Sequence, residues 1–210
     1  MNRNTSFDTF KAVAAFFIII LHCANVQGGE IYSVALKSIA RFGVPFFFMI
    51  TGYFLTPMMA KRREVGYCLK IGKITIISTL FYLVECSLVY SMESNNTIMA
   101  GAKEFLSTTF SLSSVAKWLF ICMVPFGYHL WYLYALLLSL VVVIIVCRSL
   151  NRNRNLIILS TAAILSILFF NYSGFLSPVV TRSYITGIPC LAIGLWTYNY
   201  GTIIKGRFNY

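Results

Sequence analysis

Six long stretches of the chain are almost free of charged residues, and each is long enough to cross a lipid bilayer. A membrane-spanning helix needs about 20 predominantly apolar residues. The fourth stretch, 118–147, is too long for one straight helix, and Pro125 with Gly127 divides it. The predicted spans are residues 12–29, 42–60, 74–92, 128–147, 155–181 and 183–204. The pattern predicts an all-α fold, a polytopic transmembrane helix bundle of about six spans.

Composition agrees with this pattern and excludes two other classes of protein. Apolar residues make up 59% and charged residues 11% of the 210-residue chain, against roughly 45–50% and 25% in soluble domains. The 18 Phe and 13 Tyr exclude a disordered chain. About six spans leave no room for a sizeable soluble domain, so we expect one membrane domain over residues 1–210.

The 17 basic residues against six acids, a net charge of +11, are explained by membrane topology. With a cytoplasmic N-terminus, 12 of the 17 lie inside, as the positive-inside rule requires. The excess therefore needs no nucleic acid, and the partner it implies is the bilayer. A cleaved signal peptide is disfavoured, because His22 rather than a small residue precedes Cys23. The predicted inside residues are Arg3, Lys11, Lys61, Arg62, Arg63, Lys70, Lys73, Arg148, Arg152, Arg154, Lys205 and Arg207.

Several chemistries lack their sequence signals. The six cysteines form no CxxC pair and lie mostly in apolar runs, so we expect small hydrophobic side chains rather than a metal site or disulfides. Motifs for nucleotide hydrolysis, zinc proteolysis and serine hydrolysis are missing from the sequence. Residues 93–117 form a polar connection that we expect outside, and residues 118–126 are expected at the interface or re-entering the membrane.

The first span carries ionisable residues on one helical stripe. Lys11 and His22 are 11 residues apart, which is close to three helical turns and about 16 Å along the axis. Asp8 lies one turn before Lys11 and can pair with it. A histidine at membrane depth is suited to proton transfer, the alternative being a side chain hydrogen-bonded to a neighbouring helix for packing.

A second group of candidate residues opens the second span. Arg41 lies on the side where His22 leaves the first span, so both side chains are expected to face one cavity. The alternative is an arginine that extends to the interface beside a lipid-facing aromatic run. Pro45 removes a helical hydrogen bond and disfavours helical geometry at Val44, which predicts a kink there. Gly52 permits close approach of a neighbouring helix.

Three further residues are candidates for substrate binding. Trp131 belongs to an aromatic opening of the fourth span, and interfacial anchoring is its alternative role. Glu85 is the one acid inside an apolar span, and it could meet an arginine or a substrate cation or be a neutral packing acid. Arg182 precedes the sixth span on the outer side, with a boundary charge as the alternative.

Four blocks of the sequence together resemble a known family. Residues 8–22, 41–53, 129–132 and 182–194 look, in order and spacing, like successive blocks of membrane acyltransferase family 3, the bacterial integral-membrane O-acetyltransferases. The stretch that begins at Arg41 is the most specific of them. The sequence also resembles the membrane half of membrane-bound serine racemases.

The resemblance implies an acyltransferase, transferring groups other than aminoacyl groups, in the bacterial plasma membrane. Its donor substrate would be acyl-CoA, usually acetyl-CoA, with no tightly bound cofactor, and its acceptor a hydroxyl of a cell-envelope glycan or other surface molecule. His22 would be the general base or a transient acyl carrier. Lys11 stands where arginine is usual, Arg41 and Arg182 would steady the acyl oxygen or an anionic acceptor, and Trp131 would line the pore.

Two alternatives to acyl transfer remain at this stage. Family members usually have roughly ten spans, so we expect a domain that is incomplete at its C-terminal end, and an inactive fragment is the first alternative. A transport-like module for a small polar solute would fit the resemblance to racemase membrane halves. Basic residues of the cytoplasmic connection, such as Lys61, Arg62, Arg63, Lys70 and Lys73, would contact the CoA, although topology also explains them.

Overall fold

The computed structural model describes residues 5–23, 42–94, 97–149 and 186–207, and all regular secondary structure within these ranges is helical. Three of the helices, α2, α3 and α6, are long and apolar enough to cross a membrane. The predicted helical membrane fold is confirmed, while the predicted fifth span, 155–181, falls outside the described residues. The elements are α1 Thr5–Cys23, α2 Gly43–Ala60, α3 Glu64–Glu93, α4 Ile98–Thr109, α5 Leu112–Ile121, the 3-10 turn Tyr128–Leu130, α6 Trp131–Ser149 and α7 Thr186–Arg207.

Large apolar side chains cover the outer surface of α3. Eleven of them are exposed along this helix. An exposed apolar surface of this extent is unfavourable in water and favourable against lipid. The eleven are Val65, Leu69, Ile74, Ile76, Ile77, Leu80, Phe81, Val84, Leu88, Val89 and Met92.

Helices α1 and α2 pack antiparallel through aromatic rings. Near the start of α1, the ring centroid of Phe7 lies 5.1 Å from that of Tyr53 and 5.6 Å from that of Phe54. Further along α1, the Phe17 ring lies 5.7 Å from the Phe42 ring. Contacts of this size and geometry contribute packing energy beyond the buried area alone.

Helices α2 and α7 cross at two glycines. A Cβ atom on Gly52 would stand 2.1 Å from the carbonyl oxygen of Leu191, and a Cβ atom on Gly194 would stand 1.9 Å from that of Met49. No side chain fits at either position, so the two backbones are in direct contact. The expectation that Gly52 admits a close neighbour is confirmed, and small residues of this kind are typical of membrane helix contacts.

The main core lies between α2, α6 and α7. Helices α2 and α7 run parallel, because Gly187 lies against the Phe48 ring and Tyr198, further along α7, lies 5.0 Å from Tyr53. Two cysteines lie in the core, as small hydrophobic residues would. The buried members of this cluster are Phe48, Leu55, Cys122, Ala135, Leu136, Leu140, Val143, Ile144, Cys147, Leu191, Ala192 and Leu195.

Helix α3 is longer than the span predicted for it. It has 30 residues, about 45 Å, whereas its antiparallel neighbour α6 has 19, about 28 Å. The prediction placed the span at 74–92 and treated 61–73 as a connection. The helix in fact begins at Glu64, because residues 64–73 contain no proline and the backbone hydrogen bonds continue past the basic residues.

The predicted polar connection between the third and fourth spans contains two short helices. Helix α4 folds back along α3, with Gly101 against Ser91. A second, smaller core cluster follows, formed by Val124, Phe126 and Leu130 against side chains of α3, α4, α5 and α6. Trp118, Val124 and Phe126 of the segment 118–126 therefore pack on the bundle.

The residues around Pro45 differ from prediction. Helix α2 begins at Gly43, so Pro45 lies in the first turn, and the first backbone hydrogen bond runs from Phe46 N–H to the Phe42 carbonyl. Amides in a first turn have no partner within the helix, so a proline there removes nothing. The predicted kink at Val44 is wrong for this reason.

Helix directions bring the basic residues together at one end of the bundle. The end of α2, the start of α3 and the end of α6 meet there, and α1 starts and α7 ends on the same side. We call this the basic end and define it by Lys61, Arg62, Arg63 and Arg148. The prediction groups these residues in the cytoplasm, and which side of the membrane they face stays a prediction.

Candidate functional site

The predicted ion pair on α1 is present and is extended by an aromatic ring of α2. Lys11 Nζ lies 3.9 Å from an Asp8 carboxylate oxygen. The same ammonium group lies 4.8 Å from the ring centroid of Phe54. Both charged side chains are more than a third exposed, so the ion pair itself contributes little. The cation–π contact is the interaction that directs Lys11 toward α2.

The other half of the predicted stripe is described only in part. Helix α1 runs unbroken from Thr5 to Cys23, so Lys11 and His22 share one helix, as the spacing argument requires. The His22 side chain lies outside the described residues, as do Arg41 and Arg182. Their meeting in one cavity therefore stays a prediction.

Trp131 begins α6 at the edge of the main core. Its side chain is half-buried and packs against the core cluster, next to Tyr132. Tyr132 in turn contacts the Phe48 ring edge to face, with centroids 5.0 Å apart. A half-buried indole at the start of a helix fits both interfacial anchoring and the lining of a passage, so the structure leaves these two roles open.

Glu85 lies away from the core. Its side chain is exposed on α3. The next residue, Cys86, donates a hydrogen bond of 3.0 Å from its thiol to the Phe126 carbonyl, so this part of α3 lies beside the segment before α6. Glu85 thus lies on the exposed surface of α3, and its role as a substrate-binding residue or as a neutral packing acid stays a prediction.

The most deeply buried charged group in the described part of the chain is one that sequence reasoning missed. Glu64, the first residue of α3, is 3% exposed. Its Oε1 accepts hydrogen bonds from Arg148 Nε at 3.2 Å and Nη2 at 2.5 Å. The pair joins the start of α3 to the end of α6. A lone acid after three consecutive cations was the available signal, but nothing in the sequence identified its partner.

A hydroxyl pair joins the same two helices nearer their middle. Thr79 Oγ1 lies 2.7 Å from Tyr134 Oη. The threonine hydroxyl also donates to the Thr75 carbonyl at 2.7 Å. Because a hydroxyl has one proton, Thr79 accepts the hydrogen bond that Tyr134 donates.

Polar side chains also meet between α2 and α3, and some buried hydroxyls stay unsatisfied. The Tyr67 side chain of α3 lies near the Thr51 hydroxyl, which donates to the Phe47 carbonyl at 2.8 Å. Among the described residues, the buried hydroxyls of Thr56 and Ser139 have no hydrogen-bond partner. Within the same ranges, no three His, Cys, Asp or Glu side chains come close enough to hold a metal ion.

Comparison with models of known protein families identifies the family of this chain. The acyltransferase domain of acyltransferase family 3 matches residues 4–210. The chain belongs to this family of membrane acyltransferases. The resemblance seen in the four sequence blocks is confirmed.

The matched relatives of this family member are much longer proteins. Over 160 residues, 71% of the chain, it is 28% identical to a protein named amino-acid racemase from Enterococcus faecalis, of which it covers 20%. Over 92 residues, 39% of the chain, it is 29% identical to a serine/alanine racemase from Enterococcus gallinarum, of which it covers 13%. The chain thus spans a fifth or less of these relatives. No solved structure matches it.

In this family member, two groups of described side chains are candidates for binding a charged substrate. Lys11 and Asp8 lie on α1 against α2, while Glu64 and Arg148 lie at the basic end. Both groups combine a cation with a carboxylate, and both leave the cation partly exposed. Such sites can hold an anionic group of a substrate.

Proposed function

We propose that the chain is a membrane acyltransferase that moves an acyl group, acetyl in the simplest case, from cytoplasmic acyl-CoA to a hydroxyl on the other side of the membrane. The acceptor is a cell-envelope glycan or another surface molecule. The observation that carries this proposal is the family match over residues 4–210. The arrangement of α1 supports it, since one unbroken helix connects Lys11 with His22 near the opposite end.

In this proposal His22 is the general base. It takes the proton of the acceptor hydroxyl as the oxygen attacks the thioester carbonyl, an ester bond forms, and the CoA thiolate leaves and takes up a proton. In the variant with a covalent intermediate, His22 itself carries the acyl group before the hydroxyl attacks. Arg41 and Arg182 steady the acyl oxygen or an anionic acceptor, and Trp131 lines the passage.

The experiment is transfer of label from radiolabelled acetyl-CoA to envelope material in membranes that contain the chain. His22→Ala is expected to abolish transfer while leaving the amount of inserted protein unchanged. His129→Ala is the matched control, because His129 is the one other histidine and its ring packs 4.4 Å from Tyr82. Normal transfer by His22→Ala would remove His22 from the site, and no transfer by the inserted wild-type chain would count against the function.

A second candidate function is favoured by the names of the relatives. Both matched proteins are named racemases, and the chain covers a fifth or less of each. We therefore also propose, as the alternative, a transport-like membrane module that passes a small polar solute such as serine. Uptake of radiolabelled serine by vesicles that contain the chain, unaffected by acyl-CoA, would favour this alternative.

A further inference from the structure

The basic end places two arginines beside one buried carboxylate. Arg148 donates two hydrogen bonds to Glu64 Oε1. Arg62 lies in the turn between α2 and α3, two residues before Glu64. Arg148 comes from a distant part of the sequence and reaches Glu64 because α3 and α6 pack antiparallel. We propose that Arg62 and Arg148 form a binding site for a phosphate group, with Glu64 as the positioning residue for Arg148.

The geometry of the Arg148 side chain supports the binding of a phosphate group. Its Nε and Nη2 atoms face Glu64, so the guanidinium plane is held by one edge. The side chain is nevertheless 54% exposed, against 3% for Glu64. A guanidinium has five N–H donors in a planar fork, and donors not directed at Glu64 stay available. A fork of this shape matches two oxygens of a phosphate.

The buried carboxylate provides an independent observation. Glu64 Oε2 has no hydrogen-bond partner among the described residues, although it is buried. A buried acceptor without a partner is costly, so the position of this carboxylate depends on the two hydrogen bonds from Arg148 to Oε1. The ion pair thus fixes the orientation of the guanidinium, and a phosphate would bind the donors that face away from Glu64.

Charge at the basic end favours an anion. Lys61, Arg62, Arg63 and Arg148 carry four positive charges and Glu64 carries one negative charge, which gives a local net charge of +3. Membrane topology accounts for the number of cations on this side. It does not account for the buried acid that Arg148 contacts among these cations.

The backbone of the turn also points to a role for Arg62. Its φ angle is 54°, the left-handed conformation that favours glycine. Arg62 and Arg63 donate backbone hydrogen bonds to the carbonyls of Met59 and Met58, which closes the end of α2. A residue held in strained backbone geometry is a reason to look for function at that position.

The phosphate can come from two sources that share this chemistry. One is the phosphate of a soluble molecule such as the CoA part of the proposed acyl donor, and the other is a phospholipid headgroup. The phosphate site rests on the proposed function only for the first source. The test therefore measures binding directly rather than acyl transfer.

The experiment uses the full chain in phosphatidylcholine nanodiscs, titrated with radiolabelled acetyl-CoA. Acetyl-pantetheine, which lacks the phosphates, is the competitor in one arm, and short-chain phosphatidic acid is the competitor in the other. Arg148→Gln and Arg62→Gln are each expected to weaken acetyl-CoA binding about tenfold or more. Arg63→Gln removes the same charge from the neighbouring residue and is expected to change binding by less than about threefold.

The Glu64→Gln variant tests whether Glu64 acts by orienting Arg148 or only through its negative charge. It makes the basic end more positive, so charge alone predicts tighter binding. Loss of the carboxylate that orients Arg148 predicts weaker binding instead. Equal weakening by all three arginine variants, or tighter binding by Glu64→Gln, would overturn the proposal.

The two arms distinguish the sources and separate this inference from the proposed function. Direct binding of radiolabelled short-chain phosphatidic acid, without any binding of acetyl-CoA, would assign the site to lipid. Binding of acetyl-CoA without transfer of its acetyl group would keep the phosphate site and count against the transferase. A wild-type chain that binds neither phosphate compound would refute the site.

Discussion

Helices α2 and α7 associate in a different way from α3 and α6. The first pair brings its backbones into direct contact at Gly52 and Gly194. The second pair is joined by polar contacts far apart along the helices, the Glu64–Arg148 ion pair and the Thr79–Tyr134 hydrogen bond. In lipid, helices gain little from burying apolar surface, so close backbone contact and interhelical hydrogen bonds are the two means of association. The comparison shows both in one small bundle.

The glycine crossing and the basic end also differ in whether they leave room and polar groups for a ligand. At the glycine crossing there is no room for a ligand, and the residues around it are apolar and buried. At the basic end the cations are exposed and one carboxylate oxygen is unsatisfied among the described residues. We infer that the first contact holds the bundle together and that the second is available to bind.

The largest expected effect comes from filling the glycine crossing. Gly194→Ala places a Cβ atom on the Met49 carbonyl, so we expect a loss of about 3 kcal/mol in the free energy of unfolding. Gly194→Leu adds a larger side chain at the same place, and we expect that variant not to fold. The measurement is unfolding of the purified chain in detergent. Gly72→Ala is the matched control, because no atom lies within 4 Å of its added Cβ. We expect it to be neutral or slightly stabilising, through helix propensity, and equal losses at both glycines would contradict the crossing.

A smaller loss is expected at the ion pair. Glu64→Gln should lower the free energy of unfolding by on the order of 1–2 kcal/mol, because Glu64 is buried while Arg148 is largely exposed to solvent. The double variant Glu64→Gln with Arg148→Gln should lose less than the sum of the single losses. Strictly additive losses in this cycle would show that the two side chains are not coupled in the native state.

The hydroxyl pair should contribute less again. Thr79→Val and Tyr134→Phe are each expected to cost about 0.6 kcal/mol, the average for hydrogen bonds between membrane helices. Thr75→Val, which retains the Thr79–Tyr134 contact, serves as the control. The same detergent unfolding measured on all three variants and on the double variant gives the coupling. Zero coupling between Thr79 and Tyr134 would leave the glycine crossing as the dominant contact.

The smallest expected effect has the opposite sign. Arg62→Gly should raise the free energy of unfolding by about 0.5 kcal/mol, because glycine adopts φ of 54° without strain. Lys61→Gly, at φ −96°, should not be stabilising. Phosphate binding by Arg62→Gly should fall as in Arg62→Gln. A variant that is more stable yet binds less well would show that the native turn is strained for function.

Residues close in sequence were predicted well, and residues far apart were not. The Asp8–Lys11 pair is one helical turn apart and was expected from spacing alone. The role of Gly52 as a contact point was also expected, although its partner, Leu191, was not. The position of Pro45 in a first turn depended on where α2 begins, which hydropathy does not resolve.

The sequence by itself determined that this protein is a helical membrane protein and that it belongs to the membrane acyltransferases, and it predicted that most of its basic residues lie on one side of the membrane. These properties follow from runs of apolar residues, local spacing and sequence blocks, none of which needs a partner helix. The tertiary structure decided that Glu64 meets Arg148, that Glu85 lies outside the core, and that two glycines bring α2 and α7 together. Such contacts depend on the direction and offset of packed helices, and the identity of one residue does not specify which distant residue it will contact.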